Sequence, residues 1–295
     1  MKNLLKKYRW LSITTTLERY IEPDYYDKLL KRYIFEGKHD LDFFVEWAMQ
    51  IPEGSDVIEL GPGTGRVTAV ALKTIRHLKH LTLVDLSDRM IARCRERFGD
   101  NRSMRYTISD TNDFLLATND KYDFAYSLWA FSHSVHQTLN KFGFEKGVEN
   151  VRAGVTKFLT ENLKKDGSFF LIHFDSLSPE QRISMKQRRR DNFVFADDHL
   201  QSPSKRLLDE LFTELHATGL IDFSCIRYAG EPLEFQSVDE TLEYYLNFHM
   251  ESHFNESESV DEILTELSQD IERCRDMDGI IRIIPGCFIY TIKRK

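Results

Sequence analysis

Three closely spaced glycines lie in a stretch of the chain that could bind a small ligand. Gly61, Gly63 and Gly65 lie in the run DVIELGPGTGRVT (56–68), where a short apolar segment leads into an amphipathic one. Glycine lets the backbone turn sharply and lets a ligand approach without interference from a Cβ atom. The run therefore predicts a ligand-binding loop between a strand and a helix.

The residues around this loop favour a cationic ligand over a pyrophosphate. Dinucleotide-binding loops follow the pattern G-x-G-x-x-G, whereas here the pattern is G-x-G-x-G followed by Arg66. Glu59 stands two residues before Gly61, where its negative charge disfavours a pyrophosphate but suits an amino group. S-adenosylmethionine carries such an amino group together with a sulfonium, so it is the ligand that the loop predicts.

Two further carboxylates follow the next two apolar runs. Asp85 comes 20 positions after Gly65 and ends the second run, where a carboxylate can accept hydrogen bonds from both hydroxyls of a ribose. Asp110 follows the third run, between Ser109 and Thr111, and is predicted to accept a hydrogen bond from an adenine amino group. The alternative is that these carboxylates form turns or cap helices, and it applies most to Asp110 because Asp is common where strands end.

Elements of an α/β fold are needed to bring these residues together. Short apolar runs alternate with longer amphipathic stretches, which indicates a mostly parallel sheet. Strands are predicted at 56–60, 81–86, 105–109, 123–128, 168–174, 222–228 and 287–293. Helices are predicted at 66–78, 88–98, 148–163 and 205–218, with Ser87 as the cap of the second and Gly219 in a left-handed conformation after the last.

Three segments lie outside this predicted core. Residues 1–50 form the first, which we predict to be a helical lid with the aromatic residues Trp10, Tyr20, Tyr25, Tyr26, Tyr33 and Trp47. The remaining chain, 51–295, is predicted to be one domain with insertions at 176–204 and 238–278, the later one helical and placed before the last strand. We expect these segments to cover the ligand and select the substrate, although their aromatic residues could equally pack the first helices onto the sheet.

At the loop and its carboxylates the chain resembles the class I S-adenosylmethionine-dependent methyltransferases. ELGPGTG is similar to the first motif of that family, VDLS to its ribose-binding motif and SDT to its adenine-side motif. The resemblance covers 56–174 well and implies a Rossmann-like, seven-stranded sheet with helices on both faces and an antiparallel last strand. It also implies a methyl-transferring enzyme with S-adenosylmethionine bound across the carboxyl ends of the first, second and fourth strands.

The resemblance assigns roles to individual residues. The three glycines approach the methionine portion of the cofactor, Asp85 binds the ribose, and Leu86 and Met90 flank the adenine. The complete predicted cofactor-binding set is Glu59, Gly61, Gly63, Gly65, Asp85, Leu86, Met90, Asp110, Thr111 and Ser127.

The segment SLWAFSHSVH (127–136) falls where the family places groups near the transferable methyl group. Methyl transfer is an in-line displacement that depends mainly on alignment, and only a hydroxyl acceptor benefits from a general base. His133 and His136 are the candidate bases, with a shared helix face as their structural alternative. Trp129 is expected either to stack on a ligand or to pack in the core.

The composition of the chain limits the classes of substrate and the cellular location that we expect. The net charge of −7 disfavours nucleic acid, and no N-P-P-aromatic tetrapeptide of amide-modifying methyltransferases occurs. No run reaches the roughly 20 apolar residues of a membrane span, and the N-terminus lacks the apolar stretch of a secretory signal, so we expect a cytoplasmic protein. Cys94, Cys225, Cys274 and Cys287 are read as free thiols, and His249 with His253 lacks a third metal ligand, so no metal is predicted.

The sequence therefore predicts methyl transfer to a nitrogen or oxygen of a small molecule. The alternatives are a protein or peptide methyltransferase and a non-catalytic scaffold that has kept the cofactor loop. A homodimer is left open.

Overall fold

A computed structural model of the chain describes residues 30–191, 200–248 and 260–295. Several residues singled out in the sequence lie outside these ranges, namely Trp10, Tyr20, Tyr25, Tyr26, His249 and His253. None of the helices in the described ranges has the length and apolar character of a bilayer-spanning segment. The four cysteines are free, as predicted.

Nine strands are present in the described ranges. They are β1 (Asp56–Leu60), β2 (His80–Asp85), β3 (Met104–Ile108), β4 (Tyr122–Leu128), β5 (Leu163–Phe174), β6 (Ile221–Ala229), β7 (Leu233–Phe235), β8 (Ile281–Ile283) and β9 (Gly286–Arg294). The first five strands follow the order that the sequence predicts and alternate with helices, of which Thr111–Ala117 and Phe131–Phe142 were not predicted. The short pair β7 and β8 was not predicted, because three-residue strands show too little periodicity to be recognised.

The helices of the described ranges are α1 (Asp40–Ala48), α2 (Arg66–Thr74), α3 (Asp88–Phe98), α4 (Thr111–Ala117), α5 (Phe131–Phe142), α6 (Phe144–Lys157), α7 (Pro179–Asp191), α8 (Pro203–Ala217), α9 (Val238–Phe248) and α10 (Val260–Glu272). A π-helical turn, Phe158–Asn162, joins α6 to β5. Ser87 caps α3 by accepting a hydrogen bond from the Met90 backbone N–H, as predicted. Gly219 has the left-handed φ of +75° predicted after α8.

Seven strands form one sheet in the order β3-β2-β1-β4-β5-β9-β6. The pairings of β1 with β2 and β4, of β2 with β3 and of β4 with β5 are parallel, whereas β9 runs antiparallel to β5. This confirms the predicted seven-stranded, mostly parallel sheet with an antiparallel last strand. Every residue of β1 is buried, as expected for a central strand covered on both faces.

The chain divides into two compact units. The sheet unit comprises Lys38–Phe174, Gln201–Tyr228 and Cys287–Lys295, and it includes α1. In this unit Trp47 of α1 packs flat on Phe170 of β5, with ring centroids 5.3 Å apart. The packing alternative for the N-terminal aromatic residues therefore holds for Trp47.

The second unit comprises the described parts of Met1–Gly37, Asp175–Leu200 and Ala229–Gly286. It contains the two-stranded sheet of β7 and β8 and the helices α7, α9 and α10. Its interior holds a buried carboxylate, Glu180, whose Oε1 accepts hydrogen bonds from the hydroxyls of Tyr33 and Tyr244. Burial and the nearby Glu180 carboxylate raise the pKa of both tyrosines. Tyr33 is buried and belongs to the core of this unit.

Candidate functional site

The glycine loop follows β1 and begins α2. Gly61, Gly63 and Gly65 have φ angles of +78°, +52° and +77°, a region that favours glycine. A Cβ atom at Gly61 would lie 2.3 Å from Cβ of Ala130, and one at Gly65 would lie 2.6 Å from the Phe98 ring. A Cβ at Gly63 would meet no described atom within 4 Å. Gly61 and Gly65 are thus required by the protein's own packing, whereas Gly63 faces open space.

Glu59 lies in β1 directly below this loop and is only 2% exposed. Its Oε2 accepts hydrogen bonds from Thr68 Oγ1, at 2.5 Å, and from the Tyr126 hydroxyl, at 2.9 Å. Desolvation raises the pKa of Glu59 to about 7, against the lowering effect of these hydrogen bonds. A cation that binds beside this carboxylate favours its charged form.

Asp85 ends β2 and is hydrogen-bonded to the glycine loop. Its Oδ2 accepts the Gly63 backbone N–H at 3.1 Å, and its Oδ1 accepts the Ser87 backbone N–H at 2.9 Å. Desolvation raises the pKa of Asp85, although these backbone donors act in the opposite direction. Each oxygen keeps lone-pair capacity for a further donor.

Exposed apolar side chains accompany Asp85 at this edge of the sheet. Leu86 is 49% exposed and Met90 is partly exposed on the first turn of α3. Ile108, which pairs with Asp85 across β2 and β3, is 59% exposed and was not predicted as a site residue. The only feature of the sequence that could have indicated Ile108 is its position as an apolar residue at the carboxyl end of a strand. Together these side chains offer a surface for a flat, weakly polar group such as adenine.

Asp110 and Thr111 follow β3. Asp110 is the N-cap of α4, and its Oδ1 accepts the backbone N–H groups of Asn112 and Asp113 at 2.8 and 3.1 Å. The helix-capping alternative is therefore realised, while Oδ2 keeps lone-pair capacity for a ligand. Thr111 is 8% exposed, which limits its side-chain contact with a ligand. Cofactor contacts of both residues remain predictions.

Ser127 lies in β4 and is fully buried. Its hydroxyl donates a hydrogen bond of 2.6 Å to the carbonyl of Leu60, the residue before Gly61. The side chain therefore positions the start of the glycine loop. Direct contact between Ser127 and the cofactor stays a prediction.

The two candidate bases lie on α5 but differ in their surroundings. His133 is exposed in the first turn, with its ring centroid 6.3 Å from that of Phe174. His136 is partly buried, and its Nε2 accepts the Ser204 backbone N–H at 3.3 Å. That hydrogen bond engages the Nε2 lone pair of His136, whereas the ring of His133 is exposed. A role of either histidine as a base remains a prediction.

A third histidine, His173, lies beside Ser204 and was not predicted. Its Nδ1 is 2.7 Å from the Phe174 carbonyl, which can only accept, so Nδ1 carries a proton. Its Nε2 is 2.8 Å from Ser204 Oγ, and His173 is 1% exposed. No sequence pattern links positions 136, 173 and 204, because the sheet brings them together from three separate elements.

Comparisons with known proteins agree with this geometry. Residues 57–145 match the family model described as a methyltransferase domain. The YcgJ protein from Bacillus subtilis is 15% identical, with a TM-score of 0.52 over 86% of this chain and 97% of that one. A putative methyltransferase from Bacillus halodurans C-125 is also 15% identical, with a TM-score of 0.50 over 86% of this chain and 98% of that one.

A methyltransferase from Geobacter sulfurreducens, solved with S-adenosyl-L-homocysteine, is 14% identical, with a TM-score of 0.47 over 97% of this chain and 98% of that one. No curated protein shows significant sequence similarity to the chain. The two Bacillus structures show the shared fold, and the family model matches residues 57–145 as a methyltransferase domain.

Proposed function

We propose that this chain is a class I S-adenosylmethionine-dependent methyltransferase that methylates a nitrogen or oxygen of a small molecule. The match of residues 57–145 to the methyltransferase-domain model supports this proposal. The observation that carries the proposal is the open position at Gly63, bonded to Asp85, together with Glu59 and Asp110 on or after the neighbouring strands β1 and β3. This set suits a ligand with an amino group, a ribose and an adenine.

The proposed cofactor contacts follow from the position of each residue. Glu59 receives the amino group, the glycine loop receives the rest of the methionine portion, and Asp85 receives the ribose hydroxyls. Leu86, Met90 and Ile108 would hold the adenine, and Asp110 with Thr111 would bind its amino group. S-adenosylmethionine supplies a methyl carbon bonded to a positively charged sulfur, which is a good leaving group.

His133 is the residue proposed to handle the proton of the acceptor. His133 is exposed and comes three residues after Ala130, which adjoins Gly61 of the glycine loop, and this supports the assignment. For a hydroxyl acceptor, a nitrogen lone pair of His133 takes the proton as the oxygen bonds to the methyl carbon. For an amine that arrives neutral, the protein only needs to orient the nitrogen.

Two features support a small molecule as the acceptor. The net charge of −7 disfavours polyanions such as nucleic acid. The second unit consists of three separated segments of the chain that form a compact unit in addition to the sheet unit. We assign substrate selection to these segments.

The test is label transfer from S-adenosylmethionine carrying a radioactive methyl group, offered with panels of small amines, phenols and peptides. Label in a small amine or phenol supports the proposal. Label found only in peptides assigns the protein to the peptide methyltransferases. Tight binding of the cofactor with no transfer to any acceptor leaves the scaffold alternative.

Replacing Asp85 by alanine is expected to weaken binding of S-adenosylhomocysteine by about 1.5 to 3 kcal/mol, as for loss of charge-assisted hydrogen bonds. Calorimetry measures the change. Asp100→Ala is the matched control, because it removes the same charge from an exposed ion pair with Arg95. Unchanged affinity in a folded Asp85→Ala protein contradicts the ribose assignment.

The pH dependence of cofactor binding tests Glu59. A cation binds the ionised carboxylate, so with a pKa of about 7 the affinity for S-adenosylhomocysteine should rise about tenfold from pH 6 to pH 8. Glu59→Gln keeps an acceptor for Thr68 and Tyr126 but cannot ionise, so its affinity should be lower at pH 8 and change much less with pH. An equal pH slope in both proteins rules out Glu59 as the titrating group.

A further inference from the structure

A buried carboxylate in the sheet unit, Asp40, joins three elements. Asp40 is the first residue of α1 and is 1% exposed. Its Oδ1 accepts hydrogen bonds from Nη1 of Arg66, at 3.0 Å, and from the Leu41 backbone N–H. Its Oδ2 accepts Nη2 of Arg66 and, at 2.7 Å, Nε1 of Trp129. Both oxygens therefore carry two donors each, so the position of the carboxylate is closely defined.

Trp129 is held in a strained backbone conformation. Its φ of +66° lies in the left-handed region, which bulky side chains rarely adopt. The residue is 1% exposed, its backbone N–H donates to the Ile172 carbonyl at 3.0 Å, and its ring lies 4.7 Å from that of Phe174. Such a conformation persists only where the surroundings impose it, and the hydrogen bond to Asp40 is part of those surroundings.

The strained residue determines the path of the chain toward α5. Ala130, the next residue, approaches Gly61 so closely that no Cβ fits there. The Ala130 carbonyl accepts the His133 backbone N–H at 3.0 Å, which begins the helix that carries this histidine. On its other side Asp40 binds Arg66, the first residue of α2 and the neighbour of Gly65.

We propose that Asp40 is a positioning residue for methyl transfer. Through Arg66 it holds the end of the glycine loop, and through Trp129 it holds the turn that leads to His133. It thereby sets the separation between the cofactor loop and the acceptor side. This inference rests on the proposed function, because the separation matters only if the methyl acceptor lies beside that turn.

Trp129→Phe is the decisive variant, since it keeps an aromatic ring but removes the donor to Asp40. Asp40→Ala is not used, because it would leave the Arg66 guanidinium beside an apolar side chain. A failure of that variant to fold would not test the positioning role. In Trp129→Phe with S-adenosylhomocysteine bound, hydrogen exchange of the 128–134 backbone should become at least about tenfold faster. Turnover should fall about 10 to 100-fold, since small misplacements cost this much, while the affinity for S-adenosylhomocysteine stays within about threefold.

Trp47→Phe is the matched control. The Trp47 indole Nε1 donates to Ser168 Oγ at 3.2 Å in the same unit, on the same helix as Asp40, so this variant also loses an indole hydrogen bond. This variant should leave the exchange of 128–134 and the turnover unchanged.

The two measurements separate the two hypotheses. Exchange of 128–134 equal to that of the wild type overturns the role of Asp40, whether or not an acceptor is known. Faster exchange with unchanged turnover also overturns it, because the hydrogen bond is then structural only. Absence of methyl transfer by the wild type counts against the proposed function, while the exchange data still decide whether Asp40 holds the turn.

Discussion

Replacing Gly63 by valine is expected to lower the affinity for S-adenosylhomocysteine at least about 100-fold, or roughly 2.7 kcal/mol. Nothing in the described protein lies within 4 Å of a Cβ at this position, so the side chain would extend into the space that we assign to the cofactor. Valine also strains a φ of +52°. Calorimetric titration gives the affinity, and circular dichroism shows whether the sheet is intact.

Gly99→Val separates the two effects of this substitution. Gly99 also has a positive φ, of +74°, and no described atom within 4 Å of its Cβ position, so a valine there is strained in similarly open surroundings. It follows the eleven-residue helix α3, about 16 Å along the helix axis from the end that begins next to Asp85. We expect Gly99→Val to lose some stability and to bind the cofactor normally. Normal binding by folded Gly63→Val would contradict the loop assignment.

Replacing His133 by glutamine is expected to lower turnover about 100-fold or more if the acceptor is a hydroxyl, which is the lower end of a general-base contribution. The affinity for S-adenosylhomocysteine should hardly change, because we assign His133 to the acceptor side. The measurement is the steady-state rate across a range of pH, with the acceptor identified by label transfer. If the acceptor is an amine, the rate should follow the pKa of the amine and the loss should be small.

His136→Gln is the control for this prediction. His136 accepts a backbone N–H from Ser204, and the glutamine carbonyl can accept the same donor, so the substitution preserves the local hydrogen bond. We expect its turnover to stay within about fivefold of the wild type for either acceptor, since the lone pair is already engaged. A hydroxyl substrate with full activity in His133→Gln and a large loss in His136→Gln would reverse the assignment of the base.

Most of the sheet could be predicted from periodicity alone. The predicted bounds of β1 and of α3 agree with the structure to the residue, because a polar turn or a capping residue flanks each element. Other boundaries differ. Helix α2 ends at Thr74, four residues earlier than predicted, since Ile75 is already extended. The helix predicted at 148–163 begins instead at Phe144, after Gly143 with a φ of +79°, and ends in a π-helical turn.

Within the candidate site, the sequence predicted the residues whose role depends on local backbone position. Each of Glu59, Gly63 and Asp85 lies within or just after a recognisable strand, and parallel strands bring their carboxyl ends to the same edge of a sheet. The sequence could not show that His136 is hydrogen-bonded to the Ser204 backbone, because that residue is 68 positions away.

The sequence by itself therefore determined the class of fold, the glycine loop and the carboxylates that follow the strands, because these depend on spacing along one segment of chain. Only the tertiary structure decided that Gly63 alone of the three glycines faces open space, that Ser127 positions the loop, and that Asp40 is hydrogen-bonded to both Arg66 and Trp129. These properties depend on contacts between residues 26 to 89 positions apart. The periodicity of the sequence does not indicate such contacts, since each contact forms only when the strands have assembled.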